Sequence, residues 1–149
     1  MSEAPGKTPE TFTAEERAAM KERAKEVRTA ARRGAKAEQE NGEADVQEKI
    51  AELEEPDREL AARVHTVILE SAPSLTPRLW YGMPAYARNG KTVCFFQPAK
   101  KFKTRYSTLG FNDPASLDDG QMWPVAYAIT TLTPEVEARI GELVKRAAG

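Results

Sequence analysis

Along the first third of the chain the apolar positions are too sparse to build a core. From Thr13 to about Ala37 the residues are mostly Ala, Lys, Arg and Glu, all strong helix formers. Only Met20 and Val27, seven apart, interrupt the polar surface. Thr13-Ala14-Glu15-Glu16 matches a capping box, with Thr13 as N-cap and Glu16 reaching back to its amide. A helix without an apolar stripe buries little, so the pattern predicts a solvated arm. Residues 1–12, with Pro5, Gly6 and Pro9, are expected to be a disordered tail. Gly34 and the Asn41-Gly42 pair are expected to end the helix and supply a linker, making 13–43 a charged extension.

A folded core is expected over residues 44–149. Val46, Ile50 and Leu53 stand at helical spacing and predict a short amphipathic helix. Pro56 suits the first turn of the next helix, where its missing N–H costs nothing. That helix should run to about Ser71 with Leu60, Val64, Val67 and Ile68 on one face, stopped by Pro73. After Leu75 the pattern changes to strands. Thr92 to Phe96 are strong strand formers, and Asn89-Gly90 before them predicts a type I′ hairpin with Ala85 to Arg88 as its other arm. A third strand is expected over about Lys103 to Leu109. A fourth covers Val125 to Ile129, beyond a loop bracketed by Asn112-Asp113-Pro114 and Asp118-Asp119-Gly120. Thr133-Pro134-Glu135 opens a last helix with an N-cap, a first-turn proline and an acid at the positive dipole end. Val136, Ile140, Leu143, Val144 and Ala147 form its apolar stripe. The order predicts an α+β two-layer sandwich: a mainly antiparallel sheet of four to five strands, helices on one face, and an N-terminal helical extension.

Composition bounds the rest. At 149 residues and 40% hydrophobic content the chain has room for one good core. Its single cysteine, Cys94, cannot close an internal disulfide, which fits a reducing compartment. No apolar run approaches the roughly 20 residues that span a bilayer, and the N-terminus has no signal-like apolar region. A cytoplasmic location and no membrane partner are expected. The net charge of −1 argues against a bulk polyanion binder, yet it is the sum of opposed patches.

Between Glu38 and Glu59 ten acidic residues face two basic ones. Asp45, Glu48 and Glu52 share a helical face, with Glu55 and Glu59 beyond, and carboxylate oxygens suit hard cations and can hold iron. From Ser71 through Asn112 the sign reverses: no acid, seven basic residues, and interleaved aromatics. Lys103 and Arg105 should share a strand face fed by a turn carrying Lys101. With Trp80 and Tyr86 as platforms, such a surface could take an anionic small molecule or single-stranded nucleic acid. The two patches could equally pair with each other. Thr13 to Ala37 carries eight basic residues against four Glu, which suits a solvated helix or a grip on polyanions.

Catalytic motifs are missing. There is no Gly-x-Ser-x-Gly, no phosphate-cradling glycine loop and no dinucleotide fingerprint. Cys94 lies mid-strand, where thiols are usually buried and inert, and His65, the single histidine, flanks an apolar stripe. One His and one Cys cannot assemble a structural zinc site. A non-enzymatic protein is expected.

Trp80-Tyr81-Gly82-Met83-Pro84-Ala85-Tyr86, followed by Asn89-Gly90-Lys91 and an apolar strand, resembles the signature of the YdhG-like bacterial domain family. Lys100 to Tyr106 is similar to that family's basic strand, and Trp123-Pro124 and the terminal helix follow in the expected order. The resemblance covers about Ala44 to Ala148. It implies an α/β sandwich, and some members are described as frataxin-like iron chaperones serving iron–sulphur cluster and haem assembly. On that resemblance the acidic residues from Asp45 to Glu59 are the candidate iron surface and the assembly proteins candidate partners. The chain has Phe102 where many relatives carry a histidine, so no imidazole role carries over.

Overall fold

The structure is a computed structural model that describes residues 12–149. Apart from Phe12, the expected tail lies outside the described residues. Helix α1 (Ala14–Arg33) opens with the predicted capping box. Thr13 Oγ1 accepts from the Glu16 N–H at 2.9 Å, and the Glu16 carboxylate accepts from the Thr13 N–H at 3.0 Å. Gly34 ends the helix at a φ of 85°, a conformation that glycine takes without steric penalty.

The expected linker does not exist as a loop. Helix α2 (Ala35–Ala51) starts directly after Gly34 and contains Asn41 and Gly42. Tertiary packing overrides the turn signal there. A Cβ on Gly42 would collide with the Pro77 carbonyl oxygen, so only glycine lets α2 lie this close to the sheet. That approach outweighs the roughly 1 kcal/mol that glycine costs a helix. Helix α3 (Asp57–Ser71) follows, with Val64 and Ile68 wholly buried as its periodicity predicts.

Five strands form one sheet: β1 (Thr76–Trp80), β2 (Met83–Arg88), β3 (Lys91–Gln97), β4 (Ser107–Phe111) and β5 (Ala126–Ile129). They lie in chain order, each antiparallel to the next. The β2–β3 turn has Asn89 and Gly90 at positive φ, as a type I′ hairpin requires. Strand β1 closes a second hairpin through Tyr81 and Gly82, at φ of 55° and 76°. Pro84 lies inside β2, opposite Leu79, on a stretch that pairs with β1 beyond the end of the β3 register. A proline there removes no bond to β3.

The third predicted strand begins four residues late. One helical turn, α4 (Ala99–Phe102), precedes it, Lys103 closes that turn in the left-handed region at φ 57°, and residues 103–106 are irregular. The buried carboxylate of Asp57, at the start of α3, accepts the Lys100 N–H at 2.7 Å and holds that turn in place. Lys103 and Arg105 therefore precede β4 and do not share a strand face. Helix α5 (Pro134–Ala148) has the predicted cap, Thr133 Oγ1 accepting from the Val136 N–H at 3.1 Å. Its C-terminal carbonyls at Ala147 and Ala148 accept from the Arg88 guanidinium, a favourable place for a cation.

Helices α2, α3 and α5 cover one face of the sheet. Val46, Ile68, Phe96, Leu109 and Val144, all at most 1% exposed, are central to the core between them. The fold is α+β, a helical layer on an antiparallel sheet with an N-terminal helical part, as the element order predicts. Helix α1 packs on β1, α2 and α4, so the arm expected to be solvated is docked. Among the described residues no helix is long and apolar enough to cross a membrane.

Candidate functional site

The acidic residues proposed as a cation surface do not converge. Asp45 pairs with Arg33 at 2.8 Å, Glu52 with Lys49 at 3.6 Å and Glu55 with Arg58 at 2.8 Å. Glu48 borders the groove between α1 and α2. Glu59 lies at another cleft beside α3, its N–H donating to the Glu55 carboxylate at 3.2 Å. Helix α2 ends at Ala51, so the turn into α3 separates the set. Among the described residues no three Asp, Glu, His or Cys side chains are grouped to hold a metal ion.

The basic and aromatic set divides as well. Trp80 pairs with Met83 across the hairpin, and Met83 and Ala85 share a face that Phe95 joins through its pairing with Ala85. Tyr86 points to the opposite, helix-covered face, fully buried. Trp80 and Tyr86 therefore cannot form one platform. Arg105 lies over the Tyr106 ring, 5.3 Å from its centroid, in a cleft of about 540 Å³ with Arg63 and Leu132. Lys103 reaches Glu15 of α1 at 2.9 Å. Of the predicted ligand residues, only Trp80 and Lys101 meet at one place: the β1–β2 turn.

That turn holds two carboxylates of α1. In a two-residue hairpin the N–H groups of both loop residues lie outside the ladder and face away from it. Here the Tyr81 and Gly82 N–H groups donate to the two oxygens of one carboxylate, Glu26 of α1, at 2.9 and 2.7 Å. Consecutive amides aimed at one point make a concave anion nest. A second carboxylate, Glu22, lies over Gly82 where any Cβ would collide with it. Lys49 and Lys101 hold Glu22 at 3.2 and 3.4 Å, and Lys101 also donates to the Gly82 carbonyl at 2.9 Å. Burial of Lys49 pushes its pKa down, but the charges of Glu22 and Glu52 and their hydrogen bonds outweigh it, leaving it raised. Arg23 stands 5.7 Å from the Tyr81 ring centroid. Beside the nest is an aromatic shelf. Trp80 contacts Phe95 at 5.1 Å and Tyr81 at 4.8 Å between ring centroids. Met83 and Phe102 flank it, and Ala19 and Met20 of α1 border it.

Tyr81, Gly82, Glu22, Glu26 and Lys49 were not among the residues expected to form a site. Tyr81-Gly82 carries the hairpin signal that Asn89-Gly90 carries, but tyrosine rarely takes positive φ, which masks the turn. Glu22 and Glu26 are i, i+4 on a polar helix, and nothing local marks them.

His65, expected at the edge of the core, is buried inside a polar chain. Its Nδ1 is 2.8 Å from Tyr86 Oη and its Nε2 is 2.9 Å from the Glu43 carboxylate. A carboxylate on Nε2 selects the tautomer with its proton there, and the Tyr86 hydroxyl then donates to Nδ1. Desolvation pushes the Glu43 carboxyl up, but hydrogen bonds from His65 and Gln47 outweigh it and leave the pKa lowered. Burial drives the Tyr86 phenol well above its ordinary value. The chain resembles a catalytic relay in composition, yet Tyr86 is fully enclosed and no substrate atom reaches its hydroxyl. It is a strut joining α2, α3 and β2. Cys94 is also enclosed, and burial pushes its thiol up to about 12, far from a reactive thiolate.

No family model matches this chain, and no curated protein or solved structure is significantly similar to it.

Proposed function

We propose that this protein is a binding module whose β1–β2 turn receives a carboxylate carried on a charged helix. One observation carries the reading: both oxygens of Glu26 are held by the paired amides of Tyr81 and Gly82. Two rigid amides suit a single carboxylate, which they can bind without the side-chain entropy cost of flexible lysines. The shelf of Trp80, Phe95, Met83 and Phe102 then takes an apolar group roughly two turns earlier on the same helix, as Ala19 and Met20 do. Single-stranded nucleic acid is the weaker occupant. Lys101 and Lys103 are already neutralised by Glu22 and Glu15, and stacking bases would need a continuous basic track that the separated Arg105 does not extend.

The test uses the full chain with Glu22→Ala and Glu26→Ala, which empties the nest. A synthetic peptide of residues 12–33 is titrated in while the Tyr81 and Gly82 amide resonances are followed. Saturable shifts with the native peptide, absent with a Glu26→Gln peptide, support the reading. Shifts produced by an oligothymidylate and not by the peptide would replace it with nucleic-acid binding.

A further inference from the structure

The occupant of the turn site is joined to the domain by one residue. Gly34 alone separates α1 from α2, at φ 85° and ψ 160°. That backbone region is essentially confined to glycine. A Cβ there would meet nothing within 4 Å, so the bend is not enforced by packing around it. The docked arm is itself thinly held. Ala19 is its one buried residue, while Met20 and Val27 are 39% and 51% exposed. Its other attachments are ion pairs and amide contacts: Glu15 on Lys103, Glu22 on Lys49 and Lys101, Glu26 on the turn, and Arg33 on Asp45 and Glu38 beside the hinge.

We propose that α1 is an exchangeable arm and that the Tyr81–Gly82 site accepts α1 from a second copy of this chain. If Gly34 takes helical angles, residues 14 to 51 run as one rod, and α1 projects about 30 Å beyond α2 at 1.5 Å per residue. Two copies related by a two-fold axis then fill each other's nest with Glu26 and each other's shelf with Ala19 and Met20. The nest, shelf and lysine contacts of the closed arm are remade between chains; exchange gives up the Arg33–Glu38 pair across the bend and association entropy, and gains an uninterrupted helix. A second copy is favoured over another protein because α1 already presents the matching pattern: two carboxylates four apart and an apolar group before them. The inference rests on the carboxylate-nest reading.

The test mixes two full-length chains. One is isotope-labelled and carries Glu26→Gln, so its Gly82 amide lacks the native carboxylate; the other is unlabelled wild type. Exchange returns the labelled Gly82 resonance toward its native position as wild-type chain is added, and light scattering shows a dimer. Gly34→Ala, which favours the straight rod, should tighten dimerisation roughly 30-fold, the helix-propensity gain of Ala over Gly taken at two hinges. A labelled Gly82 resonance unmoved by excess wild-type chain at millimolar concentration would overturn the exchange, whatever the behaviour of Gly34→Ala. If Glu26→Gln in the isolated monomer leaves that resonance where wild type has it, the nest reading itself fails. The mixing arm keeps the native hinge and so stays decisive should Gly34→Ala not fold.

Discussion

The α3–α5 layer and the α1 arm both hold to the sheet, and they do so with different chemistry. Between α3, α5 and the sheet, Val64, Ile68, Phe96 and Val144 are removed from water almost completely. Each such side chain contributes roughly 1.5–3 kcal/mol by burial, with no charge for salt to screen or pH to titrate. The arm buries Ala19 and otherwise relies on ion pairs and two amide bonds. Partly exposed pairs contribute about 0–1 kcal/mol each and weaken as salt is added. An element attached this way opens locally while the rest stays folded. The sheet end at Tyr81 is held by contacts of this weaker kind.

The contrast can be broken at its strong side first. Phe96→Ala should cost about 3–5 kcal/mol in global stability, read by urea unfolding, because it opens a cavity at the centre of the layer. An effect confined to α1 would invert the assignment of the two regions. Tyr86→Phe should cost about 1–3 kcal/mol, since it leaves His65 Nδ1 buried without its donor. His65→Gln, checked in the same assay, should be at least as damaging because it disconnects both ends of the strut.

The arm should respond more weakly and without the core. Thr13→Ala removes the cap and should lower α1 protection in hydrogen exchange by about 1 kcal/mol, with the core amides unchanged. Raising salt from low to molar concentration should lower protection in α1 and spare α3. The Glu43 strut adds a pH term whose sign follows from its lowered pKa. A carboxyl held below its ordinary 4.5 stabilises the fold above that value, and the contribution fades as pH falls through the lowered folded value. Glu43→Gln should therefore reduce the stability difference between neutral and acid pH relative to wild type. Smallest of all, Lys103→Ala should leave the melting midpoint unchanged and only increase fraying near Glu15.

Local signals decided much of this molecule before any contact formed. The capping box at Thr13, the Asn89-Gly90 hairpin, the stripe of α3 and the Thr133-Pro134 start of α5 are each determined within one or two turns of chain, where propensity and periodicity act. So is the inertness of Cys94, which follows from its place in an apolar strand. Tertiary structure decided the rest. Gly42 is helical only because α2 must approach Pro77, and Lys103 is outside a strand because Asp57 captures the Lys100 amide. Trp80 and Tyr86 belong to opposite faces by a register that alternation alone leaves open until the first hairpin is placed. The nest at Tyr81 and Gly82 takes its meaning from Glu26, 55 and 56 residues earlier in the chain. Such a pairing is set by how a charged helix lies across the sheet end, and the charges of that helix are compatible with many placements.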